Sequence, residues 1–244
     1  MLKKIVAFTK TVLPETIIVL CLVYAGMKFM YPLDKQIDVK LFDESTYLYR
    51  GAQLLKDGFP KAENAPLYAV WYFLLSLLRP DRIRLYYSSY RLLCVFLPIA
   101  FYLVLRRSKK SLLATAVLTL FLLISYGNLN VWPKINHFAL LVILASFVLA
   151  SFFKEFTAQM AVFSLGGLMG SYARPELFVV YILLSLVYLG SFSMLVLKKK
   201  RPTGKSWLML ITWIFISVSC LILAGIPAGG TERLNQAFAQ HFSL

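Results

Sequence analysis

The chain is short of charge, and shorter still of acid. Only 15% of its 244 residues are charged, and eleven Asp and Glu face 26 Lys and Arg, for a formal net charge of +15. A water-soluble domain carries about a quarter charged residues, so that class is excluded. Histidine occurs twice, at His137 and His241, far apart and with no third ligand in view, so neither is read as a metal ligand. The three cysteines, Cys21, Cys94 and Cys220, all lie inside apolar runs. An odd number without close spacing argues against a disulfide frame or a thiolate metal site; in such runs they act as small hydrophobes. No internal repeat or low-complexity segment is evident.

Long apolar stretches are abundant instead. Hydrophobic residues make up 59% of the chain and mean hydropathy is +0.72. Several runs approach the roughly 20 residues that cross a hydrocarbon core. The expected fold is therefore all-α and polytopic, with about seven transmembrane spans near 12–33, 84–105, 111–127, 137–153, 157–173, 175–197 and 206–226. Lys3, Lys4 and Lys10 before the first run resemble a signal peptide, but no small-residue cleavage pattern follows Met30-Tyr31-Pro32, so a retained anchor is expected. The high pI does not imply nucleic acid, because the basic residues punctuate the ends of apolar runs. Thirteen Lys and Arg fall in one set of loops and termini and only Lys134, Arg174 and Arg233 in the short loops and tail of the other. The positive-inside rule then turns the long first loop outward.

That loop, about 34–83, holds two shorter helices. The first is expected from Asp43 to Gly58, which suits a helix C-cap, with Pro60 beyond. Leu48, Ala52 and Leu55 would form its apolar face, lying on the membrane. The second is expected from Pro66 to Leu78, about 20 Å long and too short to cross. Pro66 suits the first helical turn, and Tyr68, Trp71, Tyr72 and Phe73 are amphipathic aromatics of the kind found at headgroup level. Between Asp34 and Glu63 sit six of the eleven acidic residues against five Lys or Arg. A carboxylate pair, Asp43-Glu44, opens the first helix of an otherwise acid-poor protein, and that pair calls for a reason.

The pair followed by Tyr47, Ala52, Leu54-Leu55, Gly58 and Pro66-Leu67-Tyr68 resembles the first outer loop of the GT-C superfamily of membrane glycosyltransferases. More narrowly it is similar to glycosyltransferase family 39, which holds the protein O-mannosyltransferases, and to the lipid A aminoarabinose transferases. Arg82-Ile83-Arg84 through Arg91-Leu92, then Arg106-Arg107, resembles that family's second span; Gly166-Gly167-Leu168 with Ala173-Arg174-Pro175-Glu176 is also similar. The likeness covers about residues 1–200 of what reads as one transmembrane domain, 1–244. It implies a polyprenyl-phosphate-linked sugar donor, a lipid, glycan or protein acceptor on the outer face, and a bacterial inner-membrane setting. Family enzymes are usually much longer. The tail from Gly229 to Leu244 reads as the opening of another outer loop, so a fragment, a truncated paralogue or a chain with a partner subunit is expected.

The resemblance puts the catalytic carboxylate at Asp43, which would take the acceptor proton as general base, an effect of about 10²–10⁴ in rate. Glu44 would position the acceptor or tune Asp43. The plainer reading is helix capping by Asp43 and a favourable first-turn charge at Glu44. A leaving phosphate wants cations. Arg91, within its span, should face a cavity or a partner, whereas Arg82 and Arg84 either bind phosphate or, in the plainer reading, snorkel to headgroups or pair with Asp81. Arg174 and Glu176 either line the donor site or close a helix hairpin as an ion pair. Metal-using relatives draw carboxylates from several outer loops, for which only Glu176 and Glu232 remain here; no cofactor is otherwise implied. No nucleotide-binding fingerprint is present, so direct use of a nucleotide sugar is not expected. The rival readings are a non-catalytic membrane subunit that binds the lipid carrier, and a flippase of lipid-linked sugar. The latter would need ionisable groups at mid-membrane, which the third, fourth, sixth and seventh spans lack.

Overall fold

A computed structural model describes residues 2–30, 44–78, 81–128, 134–197 and 204–227. All regular structure among them is helical, with no strand. The long helices are α1 (Leu2–Met30), α5 (Arg82–Arg107), α6 (Leu112–Asn128), α7 (Ile135–Ala150), α8 (Phe156–Ser171), α9 (Phe178–Leu197) and α10 (Gly204–Ala224). Between α1 and α5 lie α2 (Glu44–Ala52), α3 (Leu54–Asp57) and α4 (Pro66–Ser76).

Among the described residues three stretches, Arg84–Arg107, Pro175–Leu197 and Gly204–Ala224, are long and apolar enough to cross a membrane. Helices α6, α7 and α8 start and end close to the expected bounds, but at 16 or 17 residues they fall short of the roughly 20 that cross. The surface matches an apolar solvent: Leu183 and Leu186 on α9, and Leu208, Phe215 and Ile222 on α10, are exposed. In water such a surface would be an interaction patch or an aggregation hazard.

Small residues let the long helices approach. A Cβ built on Gly166 would lie 2.3 Å from the Ser146 side chain of α7, and one on Gly167 would lie 3.1 Å from the Tyr181 backbone of α9. The two adjacent glycines of α8 thus face different neighbours, and each admits a close crossing of the kind that packs helices where no hydrophobic effect operates. Trp213 of α10 donates from Nε1 to Ser164 Oγ of α8 at 2.5 Å, seating α10 on the same helix. At the far end of α5, Arg106 and Tyr102 both bond the Glu15 carboxylate and tie α1 to α5.

Two expectations for the first loop need correction. Its leading helix breaks at Gln53, which takes non-helical backbone angles (φ −103°, ψ 9°), so Leu48 and Leu55 no longer share one face. The buried residues of α2 are Glu44, Leu48 and Gly51, while Ala52 is exposed and Leu55 is 84% exposed. The aromatic set on α4 is also turned inward in part: Tyr68 and Tyr72 are 0% and 1% exposed, packed inside protein rather than spread along an interface. The ends were legible. Gly58 takes φ +78°, a left-handed value suited to glycine, and Pro66 stands in the first turn of α4.

Candidate functional site

Among the described residues the one buried carboxyl group is that of Glu44, the first residue of α2. It is 3% exposed, in a molecule whose other described acids are mostly at the surface. Burial of a carboxyl group is costly unless hydrogen-bond donors meet it. Two do: the Tyr68 and Tyr72 hydroxyls, one helical turn apart on α4, both donate to Oε1, the latter at 2.5 Å. The i, i+4 spacing stacks the two phenols on one face of α4, with their rings edge-on at 5.0 Å.

Gly51 explains how α2 comes so close. A Cβ there would sit 2.5 Å from the Tyr72 Cβ and 2.9 Å from the Ala69 carbonyl oxygen. Only the bare glycine lets α2 lie against α4, and Glu44, seven residues earlier, then reaches the phenols. A second tyrosine pair, Tyr86 and Tyr90 on α5, hydrogen-bonds hydroxyl to hydroxyl behind the first. Trp71 donates to Ser89 Oγ at 2.9 Å, joining α4 to α5, and Phe138 of α7 packs on Tyr68 and Trp71 with centroids 5.1 and 5.4 Å away. These groups belong to one buried cluster that also holds Leu48 and Ala173.

The electrostatics follow from the enclosure. Burial, then the neighbouring Tyr72 and Glu44, pushes the Tyr68 phenol well above its ordinary value of 10.0. Burial and then Glu44 do the same to Tyr72. Both therefore remain donors at any pH the protein would meet. This is a fixed carboxyl held by two permanent donors, an arrangement suited to anchoring and positioning.

The expected site residues divide by place. Asp43 lies outside the described residues, as do Glu232 and His241. Glu44 is the centre of the cluster. Arg174 and Glu176 flank Pro175 in the turn between α8 and α9 and form an ion pair of 3.4 Å. That turn adjoins the cluster, since the Leu67 N–H at the start of α4 donates to the Tyr172 carbonyl at 3.1 Å and Ala173 packs within it. Arg84 is 72% exposed and pairs with Asp81 at 3.5 Å, an exposed i, i+3 pair of small energetic consequence. Arg91 is half-buried, about 13 Å along α5 from its first residue. His137 closes the first turn of α7, its Nδ1 accepting the Lys134 N–H at 3.2 Å. Among the described residues no group of three His, Cys, Asp or Glu is placed to hold a metal.

Sequence reasoning missed the tyrosines as partners of Glu44. The available signal is the repeated i, i+4 spacing, Tyr68/Tyr72 on the helix whose aromatics are expected at headgroup level and Tyr86/Tyr90 on the next one. Comparisons with protein-family models, curated proteins and solved structures returned no match.

Proposed function

We propose that the chain is a multi-pass membrane glycosyltransferase of GT-C type, which moves a sugar from a polyprenyl-phosphate carrier to an acceptor on the outer face. The observation that carries this reading is the burial of Glu44 under two phenol donors. A carboxyl group so expensively enclosed in an acid-poor protein holds the start of α2, the residue directly after Asp43 in the chain, against α4. Asp43 takes the acceptor hydroxyl proton as that oxygen attacks the anomeric carbon, and the carrier phosphate departs with the bonding pair. Direct displacement inverts that carbon. Glu44 is a positioning residue, holding α2 on α4. Arg174 and Glu176, beside the same cluster, line the donor side, and Arg91 supplies positive charge toward the phosphate.

The seven-span topology and the outward orientation belong to the same proposal. They are supported by the alternation of short loops and by the crowding of Arg106, Arg107, Lys109, Lys110, Lys154 and Lys205 at the opposite ends of the helices. The test is sugar transfer from a polyprenyl-phosphate donor in membranes carrying the native chain or Asp43→Asn at matched expression. Transfer by the native chain and a loss of at least about 100-fold in the variant is expected. Equal transfer by both refutes the assignment of the base. Silence in both, with the donor still bound, replaces the enzyme by a carrier-binding subunit.

A further inference from the structure

At the other end of the bundle the N-termini of α8 and α10 converge with the lower half of α9 around a cavity of about 240 Å³. Its mouth carries Lys154, Lys205 and Glu155, all exposed, from the connections that precede or open those two helices. Deeper in, Thr157, Tyr188 and Phe192 line it. Three independent features favour a bound anion with hydrogen-bonding groups. The first-turn N–H groups of a helix lack intrahelical acceptors and bear partial positive charge, and Glu155 at the start of α8 makes no side-chain cap to them. Two lysines stand at the same rim, outnumbering the one carboxylate. Tyr188, 1% exposed, keeps a hydroxyl with no hydrogen-bond partner among the described residues, and such a group costs free energy until something meets it.

The surroundings set the ligand class. The cavity is smaller than the roughly 300–1,000 Å³ that encloses a drug-sized molecule, so it accommodates a headgroup and leaves any long chain outside. The surface beside it is apolar: Phe152, Phe156, Trp207 and Leu208 are exposed there. Arg107, at the end of α5, stacks its guanidinium over the Phe152 ring at 4.4 Å and brings a third cation to that rim. We infer that this cavity is a binding site for the phosphodiester headgroup of an anionic phospholipid, with Lys154, Lys205 and the two helix N-termini on the phosphate and the Tyr188 hydroxyl bonded to a polar group of the lipid below it. The inference is independent of the glycosyltransferase reading.

The experiment is thermal unfolding of the detergent-purified chain titrated with short-chain phosphatidylglycerol, with phosphatidylcholine and inorganic phosphate as parallel arms. Saturable protection by phosphatidylglycerol is expected. Its apparent affinity should fall at least tenfold in Lys154→Gln/Lys205→Gln and several-fold in Tyr188→Phe. Both lysines are exposed, so the double variant should unfold like the native chain without lipid, and Tyr188→Phe retains the ring that packs on Trp213. Unchanged affinity in the double variant overturns the site. Equal protection by phosphatidylcholine overturns the anionic specificity, and equal protection by inorganic phosphate overturns the lipid.

Discussion

Replacing Glu44 by Leu tests the cluster most directly. The substitution removes the acceptor shared by Tyr68 and Tyr72 and leaves two buried hydroxyls to find others. An unsatisfied buried hydroxyl costs about 1–3 kcal/mol, so the ceiling is roughly 6 kcal/mol for two. The structure places the outcome below that ceiling. The two hydroxyls stand 3.4 Å apart and can turn toward each other, and Tyr72 has the Ser89 hydroxyl at hand. Leucine also buries apolar surface where the carboxyl had been. A loss of about 2–4 kcal/mol is expected, a large part of the roughly 5–15 kcal/mol that holds a typical chain folded. At about 2–4 °C per kcal/mol for a chain this size, the melting temperature should fall by roughly 4–16 °C. Far-UV circular dichroism of the purified chain in micelles is the assay. The decisive comparison is the triple variant Glu44→Leu/Tyr68→Phe/Tyr72→Phe, which removes the orphaned hydroxyls together with their acceptor. It should melt above Glu44→Leu, giving a coupling energy of at least about 1 kcal/mol. Strict additivity of the three changes, or a Glu44→Leu variant that melts with the native chain, refutes the reasoning.

The same phenols predict a pH dependence. Folding raises their proton affinity, so the stability they contribute is whole below their ordinary 10.0 and is lost as pH climbs beyond it. In a phenolate absorbance titration Tyr68 and Tyr72 should belong to a late group of buried tyrosines that stays protonated after the exposed ones have ionised, and that group should shrink by two in Tyr68→Phe/Tyr72→Phe; their ionisation near 10 would contradict the burial. Glycine substitutions should separate by position. Gly51→Ala forces a methyl onto Tyr72 and the α4 backbone and should destabilise by about 1–3 kcal/mol. Gly190→Ala, in a helix and with nothing within 4 Å of the new methyl, should stabilise by about 0.5–1 kcal/mol. Melting curves that rank the two the other way would place the α2–α4 contact wrongly.

The site was only half legible in advance because its two halves are encoded at different ranges. Glu44 was conspicuous by composition, as one of a few acids beside an apolar run. Its partners, 24 and 28 residues further on, were hidden, since an aromatic on a short helix reads the same whether it meets lipid or a buried carboxyl. The face of α2 was misjudged for a local reason. A single non-helical residue, Gln53, shifts the phase, and a period counted across it assigns Leu55 to the wrong side.

The sequence by itself determined the helical class, because apolar runs without charge leave the backbone no partner but its own helix. It also determined most helix ends, through Pro66, Gly58 and the basic residues between runs, since these signals act within one turn. Tertiary structure alone decided which faces close on one another. Gly51 against Tyr72, Gly166 against Ser146 and Gly167 against Tyr181 are contacts between separate helices, beyond the reach of any signal within one turn, and each depends on the space a missing side chain leaves. Where Glu44 finds its donors, and where Tyr188 is left without one among the described residues, are consequences of that packing, which no periodicity in the chain records.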